Sequence, residues 1–170
     1  ELLQLAATLL QKNQQAESWE HPKGIYYRKS GLDTAGKVVA LFPGQGSQYL
    51  EMGKELALNF PALRQVFGNV DALFEAGQQT PLSKVVYPTP AFDPAEKAAQ
   101  SKTLESTEYA QPAIGAFSVG LYKQLQQAGF SPNFVAGHSF GELTALWAAG
   151  VISDKDYFFL SKARGKAMAP

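Results

Sequence analysis

The stretch Phe134-Val135-Ala136-Gly137-His138-Ser139-Phe140-Gly141-Glu142 decides how this sequence folds. Three apolar residues suited to a short strand run into Gly137. A helical pattern takes over from Glu142 to Ala149, and Gly150 breaks it. The chain must therefore turn sharply at His138-Ser139. Gly137-x-Ser139-x-Gly141 has the form of a nucleophile elbow, with the serine at the apex of a strained strand-to-helix turn. A side chain two residues before or after the serine would crowd that turn, so glycine is needed at both places. The helix that starts there aims free N–H groups and the positive end of its dipole at the serine. Such donors suit an oxyanion developing on an attacked carbonyl. The same pattern also fits a plain glycine-rich turn with a capping serine, and its weight comes from the strand on one side and the helix on the other.

Working outward, Val38-Val39-Ala40-Leu41-Phe42 is a continuous β-prone run. A run apolar on both faces predicts a buried strand of a parallel sheet covered by helices. It ends on Pro43-Gly44-Gln45-Gly46-Ser47-Gln48. This is no Walker loop, because the Gly-Lys-Ser/Thr ending is missing. It is no dinucleotide fingerprint either, because position 49 is Tyr. It offers backbone N–H groups that a ligand can approach closely. Loops at the carboxyl ends of strands line the crevice of an α/β sheet, so this loop and the serine turn should open on one edge.

Between these strands, Leu63, Val66, Phe67, Val70, Leu73 and Phe74 predict a helix over 61–76, with Asn59 as its cap and Pro61 in its first turn. Pro81 to Pro94, with four prolines, reads as loop, and Asp93 caps the helix that follows. Ala113 to Ala128 places Ile114, Phe117, Leu121 and Leu125 on one face and stops at Gly129. Ser153-Asp154-Lys155-Asp156 has capping-box spacing and opens a last helix through Arg164 and Met168. At the other end, Leu2, Leu3, Leu5, Ala6, Leu9 and Leu10 mark a helix over about the first 15 residues. Glu17 to Lys23 reads as a turn-rich connection, Ile25 to Arg28 as a short extended segment, and Ser30 to Lys37 as a linker. The order of elements predicts an α/β fold with a parallel sheet.

Composition narrows the function. The 170 residues carry 15 Lys+Arg against 15 Asp+Glu, so no basic excess marks a nucleic-acid surface. There is no cysteine, hence no disulfide, thiolate metal site or cysteine nucleophile. His21 and His138 are the only histidines, too few for a His-rich metal cluster. No apolar stretch approaches the ~20 residues of a spanning helix, and no signal peptide is visible. The chain opens on Glu1 and reads as cut from a longer polypeptide.

Four stretches together resemble the malonyl-transferring acyltransferase family of fatty-acid and polyketide synthesis. They are Leu41 to Gln48, Tyr109-Ala110-Gln111-Pro112-Ala113, Gly137 to Glu142, and Ala163-Arg164-Gly165-Lys166-Ala167-Met168. The Phe140 variant is most similar to polyunsaturated-fatty-acid synthases. The resemblance implies that residues 37–170 are the amino-terminal part of an acyltransferase domain. They would form an α/β-hydrolase-like large subdomain with a parallel sheet, without the family's small ferredoxin-like subdomain. Residues 1–36 would be the end of a ketosynthase-to-acyltransferase linker.

The resemblance also implies a mechanism. Ser139 attacks malonyl-CoA, the Gln45 and Phe140 amides form the oxyanion hole, and Arg164 holds the malonyl carboxylate. Gln111, Met168 and His138 line the substrate pocket. The acceptor is the phosphopantetheine thiol of an acyl carrier protein. No bound cofactor, metal, nucleic acid or membrane is implied, a ketosynthase domain would be the neighbour, and the location would be cytoplasmic. In such enzymes the general-base histidine lies far downstream of the serine, beyond Pro170. His138 is rejected as that base, because adjacent residues in a tight turn point apart. His21 reads as a surface residue and Trp147 as helix packing. Arg164 also fits a plain helix-end cation. A serine hydrolase or thioesterase, an inert fragment and a carrier-protein docking module stay open beside the transferase.

Overall fold

The computed structural model describes residues 1–30 and 36–169. The chain divides into two compact units, Glu1–Gly36 and Lys37–Pro170. In the first, α1 (Leu2–Lys12) turns Leu5, Ala6 and Leu9 to its half-buried side. Strands β1 (Ser18–His21) and β2 (Ile25–Arg28) pair antiparallel around Gly24, at φ 76°. Trp19 stands opposite Tyr27, and their rings stack at 5.3 Å. The extended segment at Ile25 is therefore present, but most of the connection expected over Glu17–Lys23 is strand. Ser18 and Glu20 take the exposed side of a hairpin whose other side holds Trp19, His21 and Tyr27. The linker expected over Ser30–Lys37 falls largely on 31–35, outside the described residues.

In the second unit β3 (Val39–Phe42) and β4 (Phe134–Gly137) pair in parallel, with Val39 opposite Phe134 and Phe42 opposite Gly137. The parallel sheet is as the sequence predicts, but its burial is not two-sided. Ala40, Phe42 and Val135 pack inward, while Val39, Leu41 and Phe134 are 51%, 73% and 56% exposed. Strand alternation sends every second side chain to a face that no described helix covers.

The connection from β3 to β4 carries α2 (Lys54–Asn59), α3 (Pro61–Ala76), α4 (Leu82–Val86), α5 (Pro94–Glu105) and α6 (Thr107–Gln127). After β4 come α7 (Phe140–Ala148) and α8 (Asp154–Ala167). Helix α3 buries Leu63, Val66, Phe67, Val70 and Phe74, as their spacing predicts. Asn59 does not cap it; the cap position is Phe60, and the Asn59 amide donates back to the Glu55 carbonyl. The proline-bracketed loop contains α4, because Leu82, Val85 and Val86 are apolar enough to dock as one short turn. Asp93 accepts from the Ala95 amide and Ser153 from the Asp156 amide, so both expected caps form.

Helix α6 is the centre of the unit and packs against α3, α4, α5, α7 and α8. It starts at Thr107 rather than Ala113 and runs through Pro112. Proline there gives up one bond to the first turn and fits because that turn is already near the helix end. Its buried surface is wider than the expected stripe: Ile114 is buried as expected and Leu125 is exposed, while Ala110, Ala113, Ala116, Val119 and Tyr122 are buried as well. A helix in contact with five others buries most of its circumference. Each large side chain so buried contributes roughly 1.5–3 kcal/mol relative to exposure.

Candidate active site

Ser139 sits at φ 53° and ψ −109°, where a non-glycine residue is strained. It joins the end of β4 to the start of α7. The glycines on either side leave no room for anything larger. A Cβ on Gly137 would lie 2.0 Å from the carbonyl carbon of Gly141. One on Gly141 would lie 2.2 Å from the Phe42 carbonyl oxygen. The β3 loop joins the same crowd, since a Cβ on Gly44 would meet the His138 carbonyl oxygen at 2.6 Å. The elbow and the Pro43–Gln48 loop thus touch backbone to backbone at the end of the sheet.

That loop is braced by its own side chains. The Ser47 hydroxyl donates to the Gly44 carbonyl at 2.8 Å, and the Gly46 amide donates to Gln48 Oε1 at 2.8 Å. Among the described residues the Gln45 and Phe140 amides, the expected oxyanion donors, have no acceptor. Phe140 is fully buried by its ring, which anchors the first turn of α7. The Ser139 side chain is exposed.

Four residues from three separate stretches of the sequence form one hydrogen-bonded network. Arg164 donates to Gln111 Oε1 at 2.7 Å. Gln111 Nε2 donates to Gln45 Oε1 at 3.1 Å and to Met168 Sδ at 3.5 Å. Gln111 is completely buried, and these bonds satisfy its amide. The Arg164 guanidinium lies 5.9 Å from the centre of the Phe140 ring and is only partly covered. Among the described residues no carboxylate pairs with it. A planar, permanently charged donor beside the elbow is suited to bidentate binding of a carboxylate.

His138 makes no hydrogen bond to the Ser139 hydroxyl; its ring packs beside Gly44. The His21 ring accepts the Lys23 amide at 3.2 Å. Trp147 is buried and donates to Asp154 at 2.8 Å. Two residues that motif reading does not single out, Thr144 and Tyr157, bond to each other at 2.8 Å beneath Phe140. Their only sequence signal is helical spacing, with Thr144 one turn after Phe140 and Tyr157 two turns before Arg164. Burial pushes the Tyr157 phenol up to about 12, so it stays neutral. Among the described residues there is no cluster of His, Asp or Glu that could hold a metal, and no helix long and apolar enough to cross a membrane.

Fold and site define an α/β domain of the nucleophile-elbow class. Residues 39–170 match the acyl transferase domain family, and the chain belongs to it. It is 37% identical over 158 residues to one of the polyunsaturated fatty acid synthase polypeptides of Thraustochytrium sp., covering 89% of this chain and 6% of that one. It is 39% identical over 132 residues to the malonyl CoA-acyl carrier protein transacylase of Bacillus subtilis, covering 78% and 37%. The acyltransferase domain from the second module of the salinomycin polyketide synthase superimposes with TM-score 0.72 at 33% identity, covering 97% of this chain and 34% of that one. The chain thus spans well under two thirds of the length of these relatives.

Proposed function

We propose that this chain carries the nucleophile, oxyanion hole and carboxylate clamp of a malonyltransferase that loads an acyl carrier protein. Ser139 Oγ attacks the thioester carbon of malonyl-CoA, and the carbonyl oxygen becomes an oxyanion facing the Gln45 and Phe140 amides. Collapse of that intermediate breaks the carbon–sulfur bond, releases CoA and leaves malonyl esterified to Ser139. The thiol of a carrier protein's phosphopantetheine arm then attacks the ester by the reverse sequence. The serine proton goes to a base other than His138, in the part of such domains that this chain does not span. Losing one oxyanion donor typically costs about 10²–10³ in rate.

The observation that carries this reading is the bonded chain Gln45–Gln111–Arg164. It ties a guanidinium that has no carboxylate partner among the described residues to the loop that would hold one oxyanion amide. A simple hydrolase gives that cation nothing to bind, whereas a malonyl group presents a free carboxylate. Incubation with malonyl-CoA followed by intact-mass measurement tests the reading. One malonyl adduct, abolished in Ser139→Ala, is the expected result in the longer polypeptide. No adduct on either that polypeptide or this chain would refute the transferase reading.

A further inference from the structure

The elements that carry the site meet at one buried point. On α6, Gly115 lies one turn beyond Gln111. A Cβ there would sit 2.6 Å from the Tyr157 hydroxyl and 3.1 Å from Cζ of Phe140. The missing side chain lets a ring from α7 and a ring from α8 close over α6 together. Tyr157, Thr144 and Phe140 are each fully buried. The Thr144–Tyr157 bond joins α7 one turn below the elbow to α8 two turns before Arg164. A second bond between these helices, from Trp147 to Asp154, lies farther from the elbow along both. At the other end of α8, Gly165 closes onto the Thr107 carbonyl of α6, 2.5 Å from where its Cβ would be. Helix α8 is thus held at both ends of the segment that includes Arg164.

We propose that Tyr157, through its hydrogen bond to Thr144, is a positioning residue that sets where Arg164 lies relative to Ser139 and so governs preference for a carboxylated acyl group. The inference rests on the malonyltransferase reading. Without the phenol hydroxyl, the Thr144 hydroxyl has lost its partner and can donate to the Phe140 carbonyl four residues back. Bonding there bends a helix slightly. That bend would weigh on all acyl donors alike through the Phe140 amide, whereas the loss of α8's inner attachment to α7 displaces Arg164. An acyl group without a terminal carboxylate does not use Arg164 and should register the shift far less.

The test compares Tyr157→Phe, Thr144→Val, their double variant, Thr144→Ser and Trp147→Phe in the full-length polypeptide. Acylation of Ser139 is followed from malonyl-CoA and from acetyl-CoA, alongside melting temperature. Tyr157→Phe and Thr144→Val should each lower the malonyl-to-acetyl rate ratio about tenfold, short of the about hundredfold that a full ångström of misplacement can cost. The double variant should be no worse than either single one, because both remove the same bond. Thr144→Ser keeps the hydroxyl and should keep the ratio. Trp147→Phe loses stability by removing the outer bond and should leave the ratio alone. Equal loss for both donors in Tyr157→Phe, or a ratio shift in Trp147→Phe as large, would overturn the proposal. If the wild type accepts neither donor, the transferase reading fails instead. A crystal structure of Tyr157→Phe then decides the positional claim, and Arg164 unmoved from its 5.9 Å distance to the Phe140 ring refutes it.

Discussion

Replacing Gly141 by alanine should lever the elbow away from the end of β3. The new Cβ would lie 2.2 Å from the Phe42 carbonyl oxygen and 2.8 Å from that of Pro43. Close carbon–oxygen contacts in proteins fall at about 3.3–3.6 Å, so the overlap with Phe42 is roughly 1 Å. Both obstructing atoms are backbone, and no rotamer change moves them. Overpacking a core costs about 1–3 kcal/mol, and a backbone obstruction belongs at the top of that range. For a domain of this size about 3 kcal/mol lowers the melting temperature by roughly 6–12 °C. Gly68 is the internal comparison: it lies inside α3, and a Cβ there meets nothing within 4 Å. Gly68→Ala should gain up to about 1 kcal/mol from helix propensity alone. Thermal unfolding followed by circular dichroism measures both. The two substitutions are chemically identical and should move the melting temperature in opposite directions. An unchanged melting temperature in Gly141→Ala, or a shift of the same sign in both, would refute the argument that backbone contact fixes this turn.

Arg164→Ala should impair malonyl transfer more than acetyl transfer, measured as acylation of Ser139; equal loss would remove the carboxylate-clamp role. Burial raises the Asp154 carboxyl, but hydrogen bonds from Lys123 and Trp147 and the Lys123 charge outweigh it and hold the group below its ordinary value. Its folded pKa therefore lies below its unfolded one, so the stabilisation is complete at neutral pH and is lost as pH falls through the folded value. The gap in urea midpoint between wild type and Asp154→Asn should hold from neutral pH to about pH 5 and close below about pH 4. A gap that persists into strong acid would remove Asp154 as the source.

The elbow was legible because its constraints are local. A strand, two glycines and a helix start are all written within nine residues, and a serine at φ 53° needs that framing wherever it occurs. Helix α3 was legible because one face is buried and the other is wet. The central helix was only partly legible, for the opposite reason. With neighbours on several sides α6 has no single apolar stripe, and small residues such as Ala110, Ala113 and Ala116 make its contacts. Strand β1 was hidden because its partner, not its own polarity, makes it a strand. Gln45, Gln111, Arg164 and Met168 could each be picked out by motif. That one buried amide links them is a tertiary fact with no local signature. Thr144 and Tyr157 had still less to mark them, since each looks like an ordinary helix residue until the two helices cross.

The contact between Gly44 and the His138 carbonyl has a consequence for how the site meets its substrate. The two amides proposed to face one oxyanion come from loops separated by nearly a hundred residues of chain, yet the loops bear on each other through backbone atoms. Their alignment is settled when the domain folds, and the ordering entropy of gathering them is spent then, before any thioester arrives. A substrate entering such a site would find dipoles already oriented and would have no solvent-like reorganisation to drive.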